Sequence, residues 1–236
     1  MSLVSGVNGC RCGWLIVTKH LKTRREYLTV ATSFADVINL PHEPSVICVD
    51  IPIGLLDAAV PGGREVDQLA RKLLGPKASS VFPPPVRNAL FGINYAQANK
   101  RNRDSSPHRL GISKQAFSLF PKLREVDTLM SPRLQDKVFE VHPELVFFEM
   151  NENAPVKESK KTAEGKTRRI QLLKKAGFLQ LEERIRSAAR PYVAVDDILD
   201  AYAACWTAER IAAGKAIRIP QTPPLDAKGL RMEMWR

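Results

Sequence analysis

The chain lacks any apolar run long enough to span a bilayer, and its first residues show no basic leader followed by an apolar core. Membrane insertion and export are therefore not expected, and the reading is cytoplasmic. Cysteine is scarce, with Cys10, Cys12, Cys48 and Cys205 in 236 residues. A secreted disulfide scaffold is shorter and denser in cysteine, so reduced thiols are expected. Cys10 and Cys12 form a Cys-x-Cys pair, but no second cysteine or histidine cluster of matching spacing completes a metal site. Internal repeats are missing, as is a Gly-rich phosphate loop of the Walker type.

Basic residues, by contrast, are in excess. Thirty-six Lys and Arg stand against 25 Asp and Glu, a formal charge of +11. Such a surface favours polyanions, because each phosphate contact releases condensed counterions. With 44% hydrophobic residues the chain can also bury a full core. A single domain over 1–236 is expected, carrying a helical insertion at about 58–132.

Leu3 to Val7, Trp14 to Val17 and Tyr27 to Val30 read as three short strands of an antiparallel meander. Phe34 to Leu40 follows as a short helix with Ser33 as its cap. Val46 to Ile51 is almost continuously apolar, as in a strand buried on both faces of an α/β sheet. Asp50 stands near its C-terminal end, where open α/β sheets place their ligands. Glu65 to Leu74 has helical spacing, Ser79 to Pro85 is expected to be extended, and Lys100 to Arg109 reads as a loop. Ser113 is placed to cap a helix reaching Met130, distorted at Pro121. Val138 to Met150 reads as strand with a break at Pro143. Helices are expected at Lys160–Gly177, at Leu179–Ala189 and from Asp196 or Asp197 to Gly214, the last rich enough in alanine to approach a sheet closely.

Acids fall near the ends of these elements: Asp50, Glu140, Asp196 with Asp197, and Asp200. Asp200 shares a helix face with Asp196 and Asp197. Each has an ordinary explanation by itself, Asp being a preferred cap and turn residue. Glu140 is less ordinary, since an acid inside an apolar strand is costly unless paired or bound to a cation. Together the acids are the inventory that two divalent ions need in phosphodiester cleavage, where a water is activated and the leaving oxygen neutralised.

The chain resembles the domain-of-unknown-function family 429 along most of its length. The resemblance is carried by Gly6-Val7-Asn8-Gly9-Cys10-Arg11 with Gly13-Trp14, Asp50-Ile51-Pro52-Ile53-Gly54-Leu55, and Ser79-Ser80-Val81-Phe82-Pro83. It continues through Ser113-Lys114-Gln115-Ala116-Phe117, Lys122 with Arg124-Glu125-Val126-Asp127, and Glu140-Val141-His142-Pro143-Glu144. Lys160-Lys161-Thr162 and Asp197-Ile198-Leu199-Asp200-Ala201 complete it. It implies an RNase H-like three-layer α/β fold: a five-stranded mixed sheet, antiparallel meander then parallel strands, flanked by helices. It also implies Mg²⁺ or Mn²⁺ held by Asp50, Glu140, Asp197 and Asp200. One departure matters. Asn8 stands where the family normally carries Asp, and Asn offers a carbonyl oxygen without charge, so metal affinity and turnover are expected to be low. Cys12 likewise replaces a usual glycine.

A basic tract from Lys157 to Lys175 includes Lys160, Lys161, Arg168 and Arg169. It reads either as a sequence-independent phosphate contact or as a solvated helix face. Lys114 has the same two readings, and His142 reads as a general base, a metal ligand or a structural histidine. A metal-dependent nuclease is the leading expectation. A nucleic-acid-binding module that has lost turnover, and a nucleotide phosphotransfer protein, are the alternatives.

Overall fold

The computed structural model describes residues 3–188 and 193–236, so the expected helix end at Ala189 lies outside the described residues. The chain divides into two compact units. One comprises 3–51, 137–217 and 235–236, the other 52–136 and 218–234. The segment expected as a helical insertion falls within the second unit, which also takes in a C-terminal stretch that the sequence did not associate with it.

The first unit is built on five strands: β1 (Leu3–Cys10), β2 (Gly13–His20), β3 (Glu26–Ala31), β4 (Val46–Val49) and β5 (Val138–Glu140), in spatial order β3-β2-β1-β4-β5. β1, β2 and β3 pair antiparallel, while β4 joins β1 and β5 joins β4 in parallel. Helix α1 (Phe34–Ile38) covers one face; Ser33 and Asp36 form its capping box, and Phe34 packs on Trp14 with ring centroids 5.1 Å apart. This is the three-layer RNase H-like arrangement, a mixed sheet between helices.

The opposite face is covered by α9 (Val195–Ala212), which lies nearest β1. Ala201, Ala203, Ala204 and Ala208 are fully buried and keep that helix slim. Gly6 completes the fit, because a Cβ there would stand 2.0 Å from the Cys205 nitrogen and 2.2 Å from the Ala201 oxygen. Strand and helix backbones therefore meet without a side chain between them, which fixes the height of α9 above the rim.

Three expectations change in this unit. Val138–Met150 is mostly helical: β5 ends at Glu140 and α6 (Pro143–Met150) follows, with Pro143 at the first turn, where its missing N–H costs nothing. The basic helix α7 (Ala163–Lys175) starts later than Lys160, capped by Thr162. The following helix, α8, is shorter than expected, Leu181–Ser187.

The second unit holds α2 (Glu65–Leu74), α3 (Tyr95–Asp104), α4 (Lys114–Ser118) and α5 (Phe120–Leu129). The expected loop at Lys100–Arg109 is largely the helix α3, capped by Asn94 and anchored by buried Asn102, which bonds the Val86 nitrogen and the Leu110 oxygen. Ser79 and Ser80 end a 3-10 turn over Gly75–Ser80 instead of opening an extended run. The Ser113-capped helix divides at Leu119, just before Pro121, where the distortion was expected. Arg64, fully buried, ion-pairs with Asp67 at 2.7 Å and donates to the Ile53 and Gly54 carbonyls. Asp226 joins the C-terminal stretch to this unit by accepting from the Leu55 nitrogen and pairing with Arg87.

Candidate functional site

β1, β4 and α9 bring their polar residues to one rim of the sheet. Val4 and Cys10 of β1, and Val46 and Cys48 of β4, face the core beneath α9. By the two-residue period of a strand, Asn8 and Asp50 face the same way. The Asp50 nitrogen is held by the Val7 carbonyl at 2.9 Å, which continues the β1–β4 ladder to the point where Asp50 leaves it. On α9, Asp197 and Asp200 lie one turn apart on the side that meets this rim.

Three of these side chains, Asn8, Asp197 and Asp200, have a defined neighbour. Asn8 Nδ2 donates to Asp197 Oδ1 at 3.3 Å. Asp197 also accepts from the Ala194 nitrogen at 3.2 Å, so it caps the helix it begins. Asp200, only 4% exposed, accepts from Lys160 Nζ at 2.8 Å through Oδ2. Its Oδ1 is buried with no hydrogen-bond partner.

The acids are close enough to act on one another. Burial pushes the Asp50 carboxyl up to about 8; Asp200, Glu140 and Asp197 add to this, and Lys160 opposes it. Burial likewise raises Asp200 to about 6 against the pull of Lys160, with Glu144 and Asp196 adding to the rise. Asp197 is raised as well, again chiefly by burial. Lys160 shows the complement: although burial works against its charge, the negative charges of Asp200, Asp50 and Glu144 drive its pKa above the usual lysine value.

Glu140 occupies a different position. It is buried and opposite Val49 in the ladder, yet its neighbours Phe139 and Val141 face the core under α9. Alternation therefore turns Glu140 to the other face of the sheet, where it acts on Asp50 through charge. Glu144, on α6, is the glutamate whose charge reaches Asp200 and Lys160. Its carboxylate is clasped by Arg169 at 2.7 and 2.9 Å, and Arg169 is only 1% exposed.

The basic tract thus separates into parts with different surroundings. Arg169 is an internal ion-pair partner, and Lys160 turns to the acids. Arg168 donates to Asn151 Oδ1 at 2.6 Å, while Lys161 and Arg168 are exposed. Lys114 opens α4 in the second unit. His142 is the N-cap residue of α6. Glu144 and its arginine clasp were not part of the site read from sequence; Glu140-Val141-His142-Pro143-Glu144 held the signal, but its strand-to-helix change hid which glutamate faces α9.

The donors are hard oxygens, and the orphaned Asp200 Oδ1 suits a hard divalent cation. Among the described residues, however, no three His, Cys, Asp or Glu side chains are grouped tightly enough to hold one. The donor chemistry fits; the present spacing is that of a cluster gathered around an ammonium.

The protein is thus an α/β protein of RNase H-like layout with a partly buried acidic rim. Its sequence matches the family described as "Protein of unknown function (DUF429)" over residues 6–225, and the chain belongs to that family. No curated protein and no solved structure matches it. Among the described residues no helix is long and apolar enough to cross a membrane.

Proposed function

We propose that this protein is a metal-dependent nuclease of low turnover that hydrolyses phosphodiester bonds in nucleic acid held by its backbone. The observation that carries the reading is the meeting of Asp50, at the end of the β1–β4 ladder, with Asp197 and the buried, unpartnered Asp200 Oδ1 of α9; burial and the charges of Asp200, Glu140 and Asp197 raise the Asp50 carboxyl accordingly. Acids from distant parts of the chain that stay buried together in spite of mutual repulsion are the signature of a group kept for a ligand.

Asp50, Asp197 and Asp200, with Glu140 acting through its charge, would hold Mg²⁺ or Mn²⁺, whose chemistry is to activate water and to stabilise charge on the leaving oxygen. Asn8 steers Asp197 by donating to Oδ1, and it lowers the negative charge of the rim by one relative to an aspartate. Lys161 and Arg168 are exposed on the same unit and available for phosphate contacts that read no bases.

The test is cleavage of single- and double-stranded DNA and RNA with Mn²⁺, Mg²⁺ or chelator. Chelator should abolish cleavage and Asp50→Asn should lower it by about 100-fold or more. Asn8→Asp should raise it by roughly 10-fold by restoring a charged ligand. Cleavage that survives both chelator and Asp50→Asn would end the reading. Salt-sensitive nucleic-acid binding without product, even in Asn8→Asp, would favour a binding module, the alternative that Asn8 and the +11 charge support.

A further inference from the structure

Among the described residues the acidic rim has one positive group paired to it, Lys160, and the chain around that group is fixed from both sides. Lys160 lies in the turn before α7, its side chain 40% exposed, with Nζ 2.8 Å from Asp200 Oδ2. Next to it, the Glu158 carbonyl accepts from Arg169 Nη1 at 3.2 Å, and Arg169 is itself locked onto Glu144. The Ser159 carbonyl accepts from the Thr162 nitrogen and hydroxyl, both at 3.0 Å. That carbonyl also rests against α7 so closely that a Cβ on Gly165 would stand 1.8 Å away. Thr162 then caps α7 by accepting from the Gly165 nitrogen. A lysine that only decorates a surface needs none of these restraints.

The charge count gives them a purpose. At the rim Asp50 feels the charges of Asp200 and Asp197, Glu144 is already matched by Arg169, and among the described residues Lys160 is the cation whose charge reaches all three aspartates. Two carboxylates sharing a buried space repel unless a cation lies between them. An ammonium bonded to Asp200 Oδ2 supplies one such charge permanently and leaves Oδ1 without a partner for a second ligand.

Resting on the metal-dependent reading above, we propose that Lys160 is a built-in cation that takes a place at the acidic rim which a divalent ion would otherwise fill, so that the protein takes at most one divalent ion there. Lys160 is a positioning residue in this assignment: it holds Asp200 Oδ2 and leaves the buried Oδ1 free for a ligand.

Calorimetric titration of the full chain with Mn²⁺ tests this, comparing the parent with Lys160→Met and Lys160→Arg. The parent and Lys160→Arg should bind no more than one ion. Lys160→Met should gain a second ion or bind about 10-fold more tightly, because the freed carboxylates need a replacement charge. Unchanged Mn²⁺ binding in Lys160→Met would overturn the assignment. If Lys160→Met does not fold without metal, refolding promoted by Mn²⁺ and not by equal ionic strength of NaCl supports it, and failure of both overturns it. The nuclease reading is judged separately by product. A Mn²⁺ shift with no cleavage in any variant would keep Lys160 as the resident cation and remove the nuclease.

Discussion

Helix α9 carries two buried polar networks, one at each end of its contact with the sheet, and they are closed to different degrees. In its second half, Lys19 of β2, with no exposed side-chain surface, ion-pairs with Glu209 at 2.6 Å and stacks 4.0 Å from the Phe178 ring centroid. Arg24 also pairs with Glu209, and the Tyr202 hydroxyl donates to Glu26 at 3.0 Å. With Arg184, whose charge also reaches Glu26, three described basic groups stand there against two acids. At the start of α9, Lys160 is, among the described residues, the cation whose charge reaches Asp50, Asp197 and Asp200, and Asp200 Oδ1 has no donor there. Among the described residues, the same sheet and helix thus support one network whose acids are covered by positive charge and one that is short of it. Folding accounts for the first; the second is the site of the ligand proposed above.

The largest effect should follow from breaking the complete network. Lys19→Met leaves Glu209 with only the half-exposed Arg24 and removes a positive charge from near buried Glu26. A charge stripped of its buried partner costs about 3 kcal/mol. Urea denaturation should show that loss, and adding Mn²⁺ should not restore it. A loss under about 1 kcal/mol would mean that this network is no more structural than the other, and the comparison would fail.

A smaller effect of opposite sign is expected at the incomplete network. Burial pushes the Asp50 carboxyl up to about 8 in the folded protein, against an ordinary value of 3.8. A carboxyl with a raised folded pKa keeps its proton better folded than unfolded, so its stability contribution is present at low pH and is lost as pH rises from about 4 through 8. Asp50→Asn should therefore be more stable than the parent above pH 8, by on the order of 1 kcal/mol, and gain nothing near pH 4. Mn²⁺ should narrow the difference by stabilising the parent alone. Parallel pH–stability curves for the two proteins would show that Asp50 is not under this pressure.

These two networks were not equally visible in the amino-acid sequence. Asp50 was legible because Val46–Ile51 is a buried-strand pattern and Pro52 stops it, which puts an acid at a strand end. The alanine run of α9 announced a helix pressed on a sheet, and Asp197 and Asp200 followed from its period. Glu140 and Glu144 both stand in Val138–Met150, a mostly apolar segment whose polar residues follow neither a clean two-residue nor a clean helical period, so the pattern does not show where β5 gives way to α6. The pairs that define the charge balance join residues far apart in the chain: Lys160 to Asp200, Glu144 to Arg169, Lys19 to Glu209. No local pattern encodes such pairs; they exist only once the sheet has set its neighbours. For the same reason the basic tract read as one surface, although Arg169 is buried within it.

Lys160 and Lys161 give the finest division of the comparison, because they are adjacent and differ in direction. Lys160 reaches Asp200, while Lys161 is exposed and its nitrogen bonds to Ser159 Oγ at 3.3 Å, which turns the chain without involving its ammonium. An exposed lysine that meets a phosphate acts through counterion release, and its removal should cost only a few-fold in affinity for any nucleic-acid sequence, with the log–log salt slope falling by about 0.9. Lys161→Ala should show that small change in fluorescence anisotropy while Mn²⁺ binding and denaturation midpoint stay at parental values. If Lys161→Ala instead altered Mn²⁺ binding as Lys160→Met is expected to, the turn before α7 would act as a diffuse basic patch, and direction within it would carry no meaning.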